Sequence, residues 1–283
     1  MKTVIINADD FGLSSSINEA VIIAHQEGIL TSVSLLANGA AFGEAVAIAR
    51  QYKALGVGLH LNLYRGRPVS EPANVRSLVH AKTGAFLGSL TKVLWRMASG
   101  GFTEEEMYLE LKAQAQKVLA AGITITHFDS EKHLHHAPRI RRVVMRLAQE
   151  MGIRNIRAIA EPLAPGDVLR QLVGCHWQKL AAHAVFKRAR EEFLSAGFSV
   201  PQRSFGFYHA MTSTTLEGAL RLLPHGISEI MCHPGMAGLE ERRAMAEHGR
   251  FFTSDRRGEE LAALVAPGMK EFFQTEGIRR EHY

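Results

Sequence analysis

The chain is predicted to be an α/β protein built on a parallel sheet. Three observations carry that expectation. Short β-branched runs alternate with stretches of helical period from one end to the other. Helices open at Ser/Thr residues followed three places later by Glu, and stop at glycine. Polar residues able to do chemistry recur at the C-terminal ends of the strand candidates, which is the edge where such folds bind ligands. No break in composition divides the 283 residues, so a single domain over 1–283 is expected.

Taken in order, Val4-Ile5-Ile6 reads as a buried strand that delivers Asn7-Ala8-Asp9-Asp10-Phe11-Gly12 to its end. Ser16 and Glu19 have capping-box spacing for a helix over 17–26. Residues 31–36 form a second strand candidate closed by Ala37-Asn38-Gly39, and 40–52 has helical spacing with Phe42, Ala45, Val46, Ile48 and Ala49 on one face. Residues 57–63 alternate strictly, which puts His60 and Asn62 opposite Leu59, Leu61 and Leu63. The Gly-, Pro- and Ser-rich stretch 64–101 reads as a long excursion over the mouth of the sheet. Thr103 and Glu106 open a long helix to about Ala121, and Gly122 stops it. A strand over 123–129, a helix over 138–151 and a strand over 153–159 containing Arg154 and Arg157 follow. Residues 162–200 read as mostly helical and basic, 205–208 and 227–232 as the last strands around a helix at 214–223, and 258–265 as a closing helix.

Composition narrows the class. A hydrophobic share of 46% with 22% charged residues describes a soluble protein with a full core. Two cysteines, Cys175 and Cys232, make no disulfide framework and point to a reducing compartment. The N-terminus lacks a signal-peptide pattern, and no stretch approaches the ~18–20 uninterrupted apolar residues of a spanning helix. A cytoplasmic location is therefore expected. The net charge of +5 is modest and comes with no basic-aromatic RNA motif, so nucleic acid is not an expected partner.

Four polar clusters fall at separate strand ends: Asp9-Asp10, His60, the run His127-Phe128-Asp129-Ser130-Glu131-Lys132-His133-Leu134-His135-His136, and Met231-Cys232-His233-Pro234-Gly235. A lone histidine at a strand end is more often structural than functional. Four coincident ends tip the balance, because a closed sheet would bring them to one rim. Adjacent carboxylates repel when ionised, so Asp9 and Asp10 invite a cation or a shared proton. Asp, His and a further His or Glu make up a facial site for a divalent metal. If 129–135 runs extended, Asp129, Glu131, His133 and His135 share one face.

Asn-Ala-Asp-Asp-Phe-Gly, Gly-Leu-His-Leu-Asn-Leu, Thr-His-Phe-Asp-Ser with its trailing histidines, and Met-Cys-His-Pro resemble the YdjC-like carbohydrate deacetylases, which include chitooligosaccharide deacetylase. The likeness covers about 1–160 and resumes around 226–265. It implies an irregular, TIM-like (β/α) barrel that removes N-acetyl groups from amino sugars with a divalent metal, Mg or Zn. By similarity Asp10 and His60 are metal ligands, Asp9 the general base, and His233 the general acid or transition-state stabiliser. Where the family has Asp-Ser-His, this chain has Asp129-Ser130-Glu131, so Glu131 takes the third ligand position or His133 substitutes for it. Glu131 would favour a harder metal. Asn62 and Arg157 are the substrate-binding candidates, Arg157 either to hold a sugar hydroxyl or to orient a carboxylate.

The run Asp-Ser-Glu-Lys-His-Leu-His also resembles the hopanoid-biosynthesis branch of that family, which implies an N-acetylated amino sugar carried on a glycolipid. Residues 176–198 place Trp177, Leu180, Ala181, Ala184, Val185 and Phe186 among Lys179, Lys187, Arg188 and Arg190. A basic amphipathic helix of this kind either lies on the inner face of a membrane or packs its apolar side on the barrel. An oligomer is compatible with both. The competing readings are a barrel isomerase or phosphoesterase, which share ligand types, and a non-catalytic sugar or glycolipid binder that has lost a proper third ligand.

Overall fold

The computed structural model describes residues 1–161, 177–236 and 254–283. Its strands are β1 (Lys2–Phe11), β2 (Ser32–Leu35), β3 (Gly56–Leu61), β4 (His127–Ser130), β5 (Asn155–Ile156), β6 (Arg203–Phe205), β7 (Gly226–Cys232) and β8 (Ile278–Glu281). They form one parallel sheet in the order β5-β4-β3-β2-β1-β7-β6, with β8 also on β1. One edge of β1 is taken by β7 from Lys2 to Ala8. The other is divided between β8, opposite Lys2 to Ile5, and β2, opposite Asn7 to Phe11. The sheet curls until its two ends nearly meet: Ile156 N donates to Ser199 O (3.1 Å) and Ala160 N to Ser204 Oγ (2.6 Å). The result is an incomplete (β/α) barrel, as expected.

Helices α1 (Ser15–Gln26), α2 (Phe42–Gln51), α3 (Leu90–Ala98), α4 (Glu104–Ala120), α5 (Pro138–Met151), α6 (Trp177–Ser195), α7 (Ser213–Arg221), α8 (Arg256–Leu264) and α9 (Met269–Thr275) complete the described chain. Strand alternation sorts the interior. Val4, Ile6 and Ala8 of β1 join Val33, Leu59, Phe128 and Ile156 and meet Val21, Ala45, Leu111, Val118, Val144 and Leu147 of the helices in the main core. Asn7 and Asp9, one residue out of phase, reach Ser34 and Arg157. The barrel is thus apolar outside its strands and polar within. Among the described residues no helix is long and apolar enough to cross a membrane.

The helix over 138–151 lies where its periodicity puts it, with Pro138 in the first turn and Gly152 left-handed after the last. Thr103 caps α4 through Glu106 N (3.3 Å) as expected. The cap of α1 moves from Ser16 to Ser14, whose hydroxyl accepts from Ile17 N (3.4 Å). Residues 123–126 are not in a strand: they lead into β4, joined to β3 by Thr126 N to Val57 O (2.9 Å). The excursion 64–101 hides α3, whose nine residues sit between the cap Ser89 and Gly100-Gly101. Helix α6 packs Phe186, Ala189 and Phe193 inward, so its described apolar side belongs to the barrel. The side chains of Trp177, Leu180 and Ala181, together with Cys175 and the start of the 162–200 segment, lie outside the described residues.

The extended reading of 129–135 is corrected. Residues Glu131–His136 form a 3-10 turn in which Lys132 and His133 both have φ 54. The Ser130 hydroxyl causes it, accepting from His135 N (2.9 Å) and pairing with His135 Nδ1 (2.7 Å), which folds the chain back on itself. Two residues of positive φ destroy the period-two alternation on which a shared face for Glu131, His133 and His135 depended.

Candidate active site

Consecutive residues of a strand point to opposite faces, yet both carboxylates of Asp9-Asp10 line the same cavity. The register of β1 on β2 shifts between Ala8 and Phe11, and Asp10 has φ 67. This bulge turns the Asp10 side chain to the cavity that Asp9 already faces. The strand extends through the pair and does not end before it.

Asp9 is gripped by Arg157, NH1 to Oδ2 and NH2 to Oδ1 at 2.7 Å each. The same guanidinium donates from Nε to Glu229 Oε1 (2.8 Å) and pairs through NH1 with Asp129 Oδ2 (2.6 Å). Arg157 is 0% exposed. A buried guanidinium is tolerable here because three carboxylates surround it. Burial raises the Asp9 pKa, but Arg157, His60 and His233 reverse the effect and hold it well below the usual carboxylate range. Glu229 goes the other way, raised by burial against the pull of Arg157. The expectation that Arg157 binds substrate is therefore corrected to its other branch: it orients a carboxylate.

His60 Nδ1 meets Asp129 Oδ1 at 2.9 Å. Burial disfavours its charged form, but Asp129, with Asp9 and Glu131, outweighs burial and pushes the ring up to about 9. Asp129 also accepts from Ser34 Oγ (2.7 Å), and Asn7 Nδ2 links Ser34 Oγ (2.8 Å) to Asp9 Oδ1 (3.0 Å). Glu131 Oε1 takes Arg65 NH2 (2.7 Å) and Lys132 Nζ (3.3 Å), whereas its Oε2, 3.9 Å from His60 Nε2, has no hydrogen-bond partner among the described residues in a side chain 3% exposed. Asp10 Oδ2 accepts from Arg257 NH1 (2.9 Å), and Arg257 with His60, His233 and Arg65 lowers its pKa against the rise caused by burial.

Among the described residues, two buried triads have ligand atoms within 4.8 Å of one another: Asp9-His60-Asp129 and Asp10-His60-Glu131. In the first, each oxygen of Asp9 and Asp129 already accepts from Arg157, Asn7, Ser34 or His60. In the second, Glu131 Oε2 is open among the described residues and His60 presents Nε2, which an ion would take in place of its proton, while Nδ1 is held by a carboxylate in the manner of metal-ligating histidines. The second triad fits a divalent cation. His133 belongs to neither group: its positive φ turns the ring against Phe207, centroids 5.3 Å apart. Asn62 is also corrected, because all four of its hydrogen-bonding positions are used within the fold. Its Oδ1 accepts from Tyr64 N and Arg65 N, and its Nδ2 donates to Asn38 Oδ1 and Arg65 O. It shapes a turn.

His233 stands where β7 ends, Nε2 3.8 Å from Asp9 Oδ2 and Nδ1 3.9 Å from Glu260 Oε2. Its backbone N–H also donates to Glu260. The cavity these groups share is about 950 Å³, with Leu90, Leu94 and Trp95 on one wall and Val185, Phe186 and Phe207 among the others. Sequence reasoning missed Arg65, Arg257, Ser34, Glu229 and Glu260. Only Glu229 left a signal, a charge inside an otherwise uncharged strand.

Residues 3–275 match the family model described as YdjC-like protein. A chitooligosaccharide deacetylase of Serratia marcescens is 31% identical over 283 residues, covering 98% of this chain and 96% of that protein. A carbohydrate deacetylase of Brevibacillus brevis is 40% identical over 149 residues, 53% of this chain and 56% of that protein, so the chain spans about half the length of that relative. Among solved structures, a putative cellobiose-phosphate cleavage protein of Enterococcus faecalis has the same fold, with a TM-score of 0.79 and 23% identity over 100% of this chain and 97% of that one. With its family model spanning nearly the whole barrel, the chain belongs to the YdjC-like family.

Proposed function

We propose that this single domain is a metal-dependent hydrolase that removes the N-acetyl group from an N-acetylglucosamine-type amino sugar. The observation that carries the reading is the meeting of Asp10, His60 and Glu131 with Asp9 and His233 on one cavity wall. Relatives named as carbohydrate and chitooligosaccharide deacetylases support it. Asp10, His60 and Glu131 would hold the ion, and two carboxylates to one imidazole suit a hard cation such as Mg more than Zn. When bound, such an ion supplies Lewis acidity to the acetyl carbonyl and acidifies water.

The chain's own residues do the proton work. Arg157 and Asn7 take three of the four acceptor positions of Asp9 and leave one on Oδ2, the oxygen nearest His233. Held ionised, Asp9 accepts the proton of the attacking water. His233 donates to the departing amine, and with the proton held on Asp9 returned, water and amide become acetate and the protonated amine. Glu131 in the motif and the apolar cavity wall support a sugar carried on a lipid such as a hopanoid.

The test is mass spectrometry of N-acetylglucosamine conjugates, short chitin oligomers beside a lipid-linked glycoside, with metal analysis of the same preparation. Loss of one acetyl group by protein carrying stoichiometric metal is expected. Metal-free protein that leaves every conjugate intact would end the proposal.

A further inference from the structure

Helix α3 buries Val93 and Met97 and turns three large apolar side chains outward: Leu90 is 38% exposed, Leu94 46% and Trp95 69%. Apolar residues scattered singly on a surface need no explanation. Three on one nine-residue helix, a tryptophan among them, make a patch. The same residues line the cavity that holds Asp9, Asp10 and His60, and Val185 of α6, 38% exposed, lines it as well. The patch is therefore the outer lip of that cavity, whose lining joins these apolar side chains to the carboxylates.

The charge on α3 itself has one sign. Helix α3 carries Lys92 and Arg96 and no acid. Lys132 also lines the cavity but pairs with Glu131, and exposed Lys187 lies two positions after Val185 on α6. The acids of that helix, Glu191 and Glu192, pair with Arg188 and Arg141. A tryptophan-and-leucine stripe flanked by lysine and arginine has the make-up of an element lying in the headgroup region of an anionic bilayer.

We propose that α3, with the Val185 edge of α6, is a membrane-docking surface that seats Leu90, Leu94 and Trp95 among the headgroups of an anionic bilayer and opens the cavity toward it. This locates membrane contact on α3, where α6 spends its described apolar side on the core. The proposal does not need the deacetylase reading, since vesicle binding reports the surface and turnover reports the site.

The experiment is flotation of the full chain with phosphatidylcholine vesicles, with and without about one third phosphatidylglycerol. Three variants accompany it: Leu94→Gln with Trp95→Gln, Lys92→Glu with Arg96→Glu, and the distant control Leu222→Gln. Binding to the anionic vesicles about tenfold above the neutral ones, lost in both α3 variants and kept in the control, is expected. Each variant's thermal midpoint should stay close to the parental value, because none of the replaced side chains is buried. Absence of binding to both vesicle types, or α3 variants that bind as well as the parent, would overturn the proposal. So would light scattering that shows a dimer dissociated by the Leu94/Trp95 change, because a second copy would then be the occupant of the face.

Discussion

Arg157 and Asp9 face each other through two parallel hydrogen bonds of 2.7 Å, 148 positions apart in sequence and wholly inside the barrel. The pairing explains how a carboxylate can stay charged under burial and hold one orientation toward the cavity. Replacing Arg157 by Met leaves Asp9, Asp129 and Glu229 without their shared cation. Breaking a buried pair from one side typically costs ~3–5 kcal/mol, and that loss should appear in the urea midpoint. An unchanged midpoint would mean the guanidinium is dispensable.

Asp9→Asn keeps the shape and removes the basicity. Loss of a general base lowers turnover by ~10²–10⁴-fold. Metal content should stay near the parental level, since the Asp10-His60-Glu131 set is intact. Near-parental turnover of the purified variant would remove Asp9 from the mechanism.

Metal analysis separates the two candidates for third ligand. Glu131→Ala should lose bound metal on dialysis, while His133→Gln should keep it, because only Glu131 shares a triad with Asp10 and His60. Asp129→Asn should weaken binding by ~10–100-fold by loosening the His60 ring that it orients. The opposite order for Glu131 and His133 would reassign the ligand.

Three buried histidines set an acid limit on stability. Burial depresses His127 and His136 to about 3 each, and holds His135 well below its ordinary value. His136 is locked neutral: its Nε2 accepts from Ile159 N (3.1 Å), and Nδ1 faces the His133 carbonyl (3.2 Å). Below the unfolded pKa of about 6.5 the unfolded chain takes up protons that the folded chain refuses. The contribution of these three rings is therefore full above about 6.5 and falls as the pH drops from there toward about 3, by up to ~1.4 kcal/mol per pH unit for each ring. Urea midpoints at stepped pH in the presence of a chelator measure this, and His136→Gln should flatten the slope. A flat profile for the parent would contradict the neutral assignment.

What the sequence showed and what it hid divide along local and non-local lines. Helix α5 was legible to the residue because Pro138, its apolar face and Gly152 are local signals. Asp9, Asp10, His60 and His233 were legible as strand-end polar groups, and topology brought them together. The 3-10 turn at Glu131–His136 was not, since its cause is one hydroxyl, Ser130, choosing the His135 backbone over a ladder. Helix α3 was hidden by the glycines and prolines around it. Arg257 was hidden because its partner, Asp10, lies 247 residues away.

Gly58 offers the sharpest packing test of the barrel floor. A Cβ placed there would lie 2.1 Å from His127 Cε1 and 2.4 Å from both ring nitrogens, closer than atoms can approach. The ring cannot simply withdraw. Its other face is stacked on Tyr283, centroids 3.8 Å apart and planes 26° from parallel, and Thr126 Oγ1 (3.0 Å) and Ser34 Oγ (3.4 Å) hold its edges. Gly58→Ala should therefore destabilise by the ~1–3 kcal/mol typical of an overpacked core. His127→Ala alone should also destabilise, by opening a cavity beneath Asp129. The two changes share one space, so the double variant should be more stable than the sum of the single losses predicts, by ~0.5–3 kcal/mol in a double-mutant cycle. Strict additivity would show that Gly58 is not there to make room for the His127 ring.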